Sequence, residues 1–368
     1  MLLLGGALAA PFATRGAATA AQVDGDLEPP PSPQSVKKSI WGPIKLNDRS
    51  LFPTYEDLGV GIYQIQAHWD QIAPRTRPED PTNPGDPAYR WPSYLDFAIS
   101  QARRHDIRVL IQIIGAPGWA NGGRHWSWTP DQPSDFADFA TAIAKRYPRV
   151  RYWMIWGEPN RRPNFKPLTP ARRTGKTKLT AAQARAPRIY AQLLDASYAA
   201  LNSVDPDNLV IGGNTFTSAG PGAIYPYQWI RYLRLPDGTR PRMDMYGHNP
   251  FTFRKPRLKD RPSRRGAVSF GDLHRLVRAL DRAFPGQRLK LFLSEWGVPI
   301  GFRDADLRYS LDPKEGKRWI RAAFRIARRW KRIYTLGWVH PVDTEKNSQG
   351  LLDRSGRPKA GYRVFKAG

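Results

Sequence analysis

The sequence predicts an α/β chain wound into one (β/α)8 TIM barrel. Short apolar runs alternate with segments of helical periodicity through most of eight units. Polar residues gather at or just past the C-terminal ends of the predicted strands: Gln66, His68, Gly157-Glu158, Asn214, His248-Asn249, Ser294-Glu295 and His340. That is the face on which such barrels build their sites. A chain of 368 residues, 40% of them hydrophobic, can bury one large core or two modest ones, and the unbroken alternation favours one. No glycine-rich dinucleotide fingerprint follows the first strand and no Gly-Lys-Ser/Thr phosphate loop occurs, which counts against a doubly wound sheet.

The elements follow in order. An apolar run from Leu2 to Phe12, then Ala18-Thr19-Ala20, reads as a bacterial export signal over residues 1–21 and implies a secreted protein. The run is too short for a membrane helix, which needs about 18 apolar residues. Leu27 to Ser35 is proline-rich and extended, so residues 22–38 read as a linker and 39–368 as the folded domain. The strands are expected at Ile40 to Ile44, Gly61 to Ala67, Arg108 to Ile114, Val150 to Trp156, Asn208 to Gly212, Met243 to Tyr246, Leu289 to Leu293 and Tyr334 to Val339. The third is almost wholly apolar and β-branched, as a parallel strand covered on both faces should be. Between them lie stripes at helical spacing: Leu95, Ala98, Ile99 and Ala102; Phe136, Phe139, Ala140 and Ile143, with Ser134 and Asp135 as the N-terminal signal; Ile189, Leu193, Leu194 and Leu201; Leu273, Leu276, Val277 and Leu280; Trp319, Ile320, Ala323 and Phe324. Arg354 to Arg357 reads as a turn before a closing helix.

Lys and Arg number 58 against 32 Asp and Glu, a net charge of +26. Such a field attracts polyanions. The charges fall on expected loops and outer helix faces and form no nucleic-acid recognition motif, so an anionic cell wall or an acidic polysaccharide is the better partner, with plain surface charge as the alternative. The chain has no cysteine, which excludes disulfides and thiolate chemistry. Six histidines without metal-ligand spacing give no reason to expect a metal or any other cofactor.

Two strand ends carry the strongest chemistry. Ile155-Trp156-Gly157-Glu158-Pro159-Asn160 and Leu293-Ser294-Glu295-Trp296-Gly297 each stop an apolar strand on one carboxylate. A buried glutamate must be hydrogen-bonded, paired or protonated. Two at one end of a sheet work as acid and nucleophile, or as partners of the abundant arginines; the residues by themselves leave both open.

The two segments, in this order, resemble the fourth- and seventh-strand signatures of glycoside hydrolase clan A, with families 5 and 39 nearest, and the likeness runs from about Ile40 to Phe365. It implies a retaining glycosidase with Glu158 as acid/base and Glu295 as nucleophile. The clan pattern places Asn immediately before the acid/base glutamate, next to the sugar 2-hydroxyl; this chain has Gly157, and Asn160 or Asn214 is then expected to reach a hydroxyl instead. Tyr246 is expected to hold Glu295, and His248 to bind sugar or orient a carboxylate. Trp338 is expected to floor the sugar subsite, with His68, Trp69, Trp119 and Trp296, and also Trp126 and Trp128, lining the cleft. The expected function is hydrolysis of a β-linked extracellular oligo- or polysaccharide. Gly157 motivates a second reading, a catalytically weak carbohydrate-binding barrel, and charge a third, an envelope interaction protein.

Overall fold

The computed structural model describes residues 34–171, 178–217, 222–258 and 266–368. Eight parallel strands close into a barrel in chain order. They are β1 Ser35–Trp41, β2 Val60–His68, β3 Arg108–Ile114, β4 Tyr152–Ile155, β5 Leu209–Phe216, β6 Met245–Asn249, β7 Lys290–Trp296 and β8 Ile333–Trp338. A helix follows each one: α1 Phe52–Asp57, α2 Ser93–Arg104, α3 Pro133–Arg146, α4 Ala181–Val204, α5 Pro226–Tyr232, α6 Leu273–Ala283, α7 Pro313–Arg329 and α8 Tyr362–Lys366.

Local chemistry explains the helix starts. Thr180 and Gln183 form a reciprocal capping box ahead of α4, and the Asp312 carboxylate accepts from the backbone N–H groups of Lys314 and Glu315 at the head of α7. The α3 signal differs from expectation. Pro133 occupies the first turn with Ser134 and Asp135 inside the helix, so Asp135 acts through the helix dipole and not as a cap.

The first strand starts four residues before the expected domain boundary at 39, inside the stretch read as linker, and ends before Ile44. The rest of the linker and the export signal lie outside the described residues. Lys37 and Lys38 concealed the strand. Their ammonium groups turn to backbone carbonyls, Lys37 to Ile333 and Lys38 to Leu58 and Lys366, so Lys38 is buried and burial lowers its pKa to about 8. At the other end β5 and β6 run further than expected, because Asn214, Thr215, His248 and Asn249 continue the strands although they are polar.

The barrel interior is layered. Ile62, Leu110, Tyr152, Met154, Ile211, Met245, Phe292 and Tyr334 form a closed apolar plug, separate from the larger core between barrel and helices. The hydroxyls of Tyr152 on β4 and Tyr334 on β8 meet inside it at 2.7 Å, across the ring. Towards the C-terminal mouth amides follow: Gln66 donates to Gln112 at 2.8 Å, and Gln64 donates to the Ser294 carbonyl at 2.9 Å and accepts from the Ser294 hydroxyl at 2.9 Å. Gly337 makes room for this link, since a Cβ there would lie 2.0 Å from the Ser294 carbonyl oxygen. No helix among the described residues is long and apolar enough to cross a membrane.

Candidate active site

Glu158 and Glu295 stand at the C-terminal ends of β4 and β7. The chain reaches Glu158 through strain: Trp156 at φ 63° and Glu158 at φ 46° both lie in the left-handed region, which costs roughly 1–3 kcal/mol at each non-glycine residue. Trp156 is fully buried, packed on Phe136 and Phe165, and its indole N–H donates to the Asn164 carbonyl at 2.7 Å. That anchor turns the strand outward and leaves Glu158 facing the mouth. Both carboxylate oxygens have donors: Arg161 Nη1 at 2.5 Å and Asn164 Nδ2 at 3.2 Å on Oε2, and Asn249 Nδ2 at 2.9 Å on Oε1. The Arg161 guanidinium lies over the Phe216 ring, 4.4 Å from its centre, and remains partly exposed.

Glu295 lies within β7 on backbone that stays out of the left-handed region, although the pairing with β8 shifts register between Leu293 and Trp296. Its neighbour Ser294 is held by Gln64 and by the Trp41 indole N–H, which donates to Ser294 Oγ at 2.9 Å. Burial, and behind it the charge of Glu158, pushes the Glu295 carboxyl up to about 8, while Arg161 and a hydrogen bond from Asn249 pull the other way. The two glutamates therefore titrate as a pair. Burial thus favours the protonated form of Glu295, while Arg161 is ion-paired with Glu158.

The other expected residues divide. His68 stays at the mouth, partly exposed, between Gln66 and Asp70 and edge-on to the half-buried Trp126. Trp119 is half-buried, with its N–H on the Ala73 carbonyl. Asn214, in the β5 bulge, is fully buried, and neither amide atom has a partner among the described residues, so it keeps the hydrogen-bonding capacity expected of it.

Six expectations are corrected. Asn160 spends its amide on Phe216 N, Phe216 O and Ile224 O, stitching the loop after β4 to that after β5, and has nothing left for a hydroxyl. Tyr246 is buried against Thr215, 3.2 Å from its hydroxyl, instead of holding Glu295. His248 is a structural histidine: Nε2 donates to the Val268 carbonyl at 2.8 Å, Nδ1 accepts from Thr215 at 2.9 Å, and burial lowers its pKa to about 4. Trp69 packs on Phe136 and Phe139 in the core. Trp296 and Trp338 pack edge to face, with Trp338 also against Phe365 of α8; at 1% exposure Trp338 leaves no face for a sugar.

Asn249, Arg161, Asn164 and the half-exposed Trp41 complete the mouth without having been picked out as site residues. For Trp41 a signal existed, an aromatic at the end of the first strand, hidden by the misplaced strand. The long loops after β4 and β6, residues 163–180 and 252–265, lie partly outside the described residues. No group of three or more histidine or carboxylate residues among the described residues is placed to hold a metal ion.

No protein-family model and no curated protein matches the sequence. Solved structures do match. The chain is similar to a family 39 glycoside hydrolase from the gut symbiont Bacteroides cellulosilyticus WH2, with a TM-score of 0.62 and 16% identity over 91% of this chain and 63% of that one. It is similar to a monomeric beta-xylosidase from Caulobacter crescentus CB15, with a TM-score of 0.60 and 17% identity over 91% and 68%. A Bacteroides uniformis beta-glucuronidase gives a TM-score of 0.54 and 11% identity, covering 91% of this chain and 35% of its own. What is shared is the barrel. At these identities the likeness is one of fold, and this chain spans less than two thirds of the first of the three.

Proposed function

We propose that this protein is a retaining glycoside hydrolase of the family 39 type, with Glu295 as nucleophile and Glu158 as acid/base. One observation carries the reading: glutamates from β4 and β7 converge at the barrel mouth within each other's field, with the Asn249 amide donating to Glu158 and lying near Glu295. Structural glutamates paired with arginines would need one cation each, whereas Arg161 pairs with Glu158 and Glu295 has no ion-pair partner among the described residues. The substrate is a β-linked sugar chain outside the cell, consistent with the apolar N-terminal run and with neighbours described as a beta-xylosidase and a beta-glucuronidase. The basic surface adds affinity for an anionic wall or acidic polysaccharide.

The chemistry follows from moving one proton. Glu295 must be ionised to attack the anomeric carbon while Glu158 protonates the leaving oxygen; Glu158 then takes a proton from water as it displaces the sugar. Burial favours the protonated form of Glu295 and Arg161 holds Glu158 Oε2, so the cycle opens when the aglycone draws Arg161 away and the proton passes from Glu295 to Glu158. A catalytically weak sugar-binding barrel is the second reading, and the Arg161–Glu158 ion pair favours it.

A panel of 4-nitrophenyl glycosides and oligosaccharides, followed by NMR of the first-formed product, decides between them. Retained configuration is expected. Inversion would rule out Glu295 as nucleophile, and saturable sugar binding without turnover would select the second reading.

A further inference from the structure

The segment that presents Glu158 has no side chain at residue 157, and the space beside it is taken. A Cβ at Gly157 would lie 2.9 Å from Gln112 Oε1. Gln112 is itself fixed, accepting from Gln66 at 2.8 Å and donating to Met154 Sδ at 3.0 Å. Nothing on β4 next to Glu158 can therefore steady the carboxylate pair from between. β6 supplies what β4 lacks: Asn249 is fully buried and donates to Glu158 Oε1 at 2.9 Å, and its amide lies near enough to Glu295 to favour that carboxyl's ionised form.

We propose that Asn249 is the positioning residue of the carboxylate pair, its single amide holding Glu158 beside Glu295 from β6, the strand next to β7, because Gln112 fills the room beside Gly157. The proposal rests on the reading of the two glutamates as acid/base and nucleophile. An amide suits the task for an electrostatic reason. It brings two N–H donors and no net charge, so it can hold Glu158 and face Glu295 without fixing which one is ionised, and the proton stays free to move between them. Arg161, the cation facing both, supplies charge and therefore bias. Asn249 is well anchored: its carbonyl accepts from Thr217, and the preceding His248 is locked by Thr215 and Val268, facing away from the pair. Burial strengthens the bond to Glu158, since water does not compete for the donor.

Two readouts test this, one of which needs no substrate. In the free protein carrying δ-13C-glutamate, with the two signals assigned from E158Q and E295Q, Asn249→Ala should move the titration of both carboxyls to higher pH, because donors to a carboxylate favour its ionised form. On the nitrophenyl glycoside that the wild type cleaves best, N249A should lose about 10²–10³-fold in kcat/KM, the loss expected for one buried donor, with the acid limb of the pH profile displaced upward. N249D, which keeps the shape and removes the donors, should lose at least as much. Opening the slot with Q112A and placing an amide there with G157N should restore at least tenfold to N249A. Carboxyl titrations and pH limbs that superimpose on wild type in folded N249A and N249D would overturn the proposal and leave Asn249 a packing residue. Shifted titrations in a protein that cleaves no glycoside would support the positioning role and defeat the enzymatic reading alone.

Discussion

The two strand ends that carry the glutamates are built differently. At β4 the backbone is strained on both sides of Gly157, and three side chains donate to the carboxylate. At β7 the backbone stays out of the left-handed region although the pairing with β8 shifts register, Ser294 is held through Gln64 and Trp41, and Glu295 itself has little beyond the nearby Asn249 amide. One end fixes a charge, and the other fixes a position and leaves its charge to be decided. An acid/base group has to change protonation twice per turnover and a nucleophile has to sit still, so the electrostatics at β4 is what must relax before reaction.

The largest test removes each carboxylate in turn. Glu295→Ala should lower kcat/KM by ~10⁴-fold or more on every substrate, because no covalent step remains. Glu158→Ala should cost ~10²–10⁴-fold with poor leaving groups and far less with 2,4-dinitrophenyl glycosides, which need no protonation, and azide should rescue it as a glycosyl azide of retained configuration. Equal losses regardless of leaving group would erase the distinction between the two ends.

A smaller effect is expected at Arg161. Arg161→Met takes the counter-ion from Glu158, so the pair should hold its shared proton to higher pH and the basic limb of the rate profile should move upward. Turnover of substrates with poor leaving groups should rise relative to activated ones. A basic limb at its wild-type position would show that the ion pair plays no part in the proton's location.

The smallest effect is on stability. The Glu295 carboxyl, ordinarily near 4.5, is raised to about 8 in the fold, so the folded state binds the extra proton and stability falls as pH rises through that window. Glu295→Gln carries no such penalty. Its melting temperature should exceed that of the wild type by a few °C at pH 8, and the gap should close towards pH 5. A constant gap would mean that Glu295 is ionised throughout.

Much of this was legible in the sequence and some was not, for identifiable reasons. Glu158 and Glu295 could be read because an apolar strand ending on a lone carboxylate is a local signal, and the order of strands put both at one end of a barrel. The full length of β1, β5 and β6 was hidden because polarity was taken as the end of a strand, whereas Lys38, Thr215 and His248 are buried and satisfied by tertiary partners. Tyr246 and Trp338 were misplaced because a residue's register on a strand does not say which side of the sheet it faces when bulges intervene, as they do in β5 and between β7 and β8. The contact of Asn249 with Glu158 joins residues 91 apart in the chain. No local pattern announces such a contact.

The tyrosine pair inside the barrel has a mechanical consequence for the site above it. Tyr152 and Tyr334 belong to strands half a turn apart in an eight-membered ring, so their hydroxyl contact works as a strut across the diameter. A ring braced along one diameter resists flattening along it. β4, at one end of that strut, carries Glu158 six residues above Tyr152, and β7, which carries Glu295, is laced to β8 at the other end. The gap between the two carboxylates is thus gauged from beneath by a member that touches neither of them, and the mouth loops are free to vary in length and charge without resetting it.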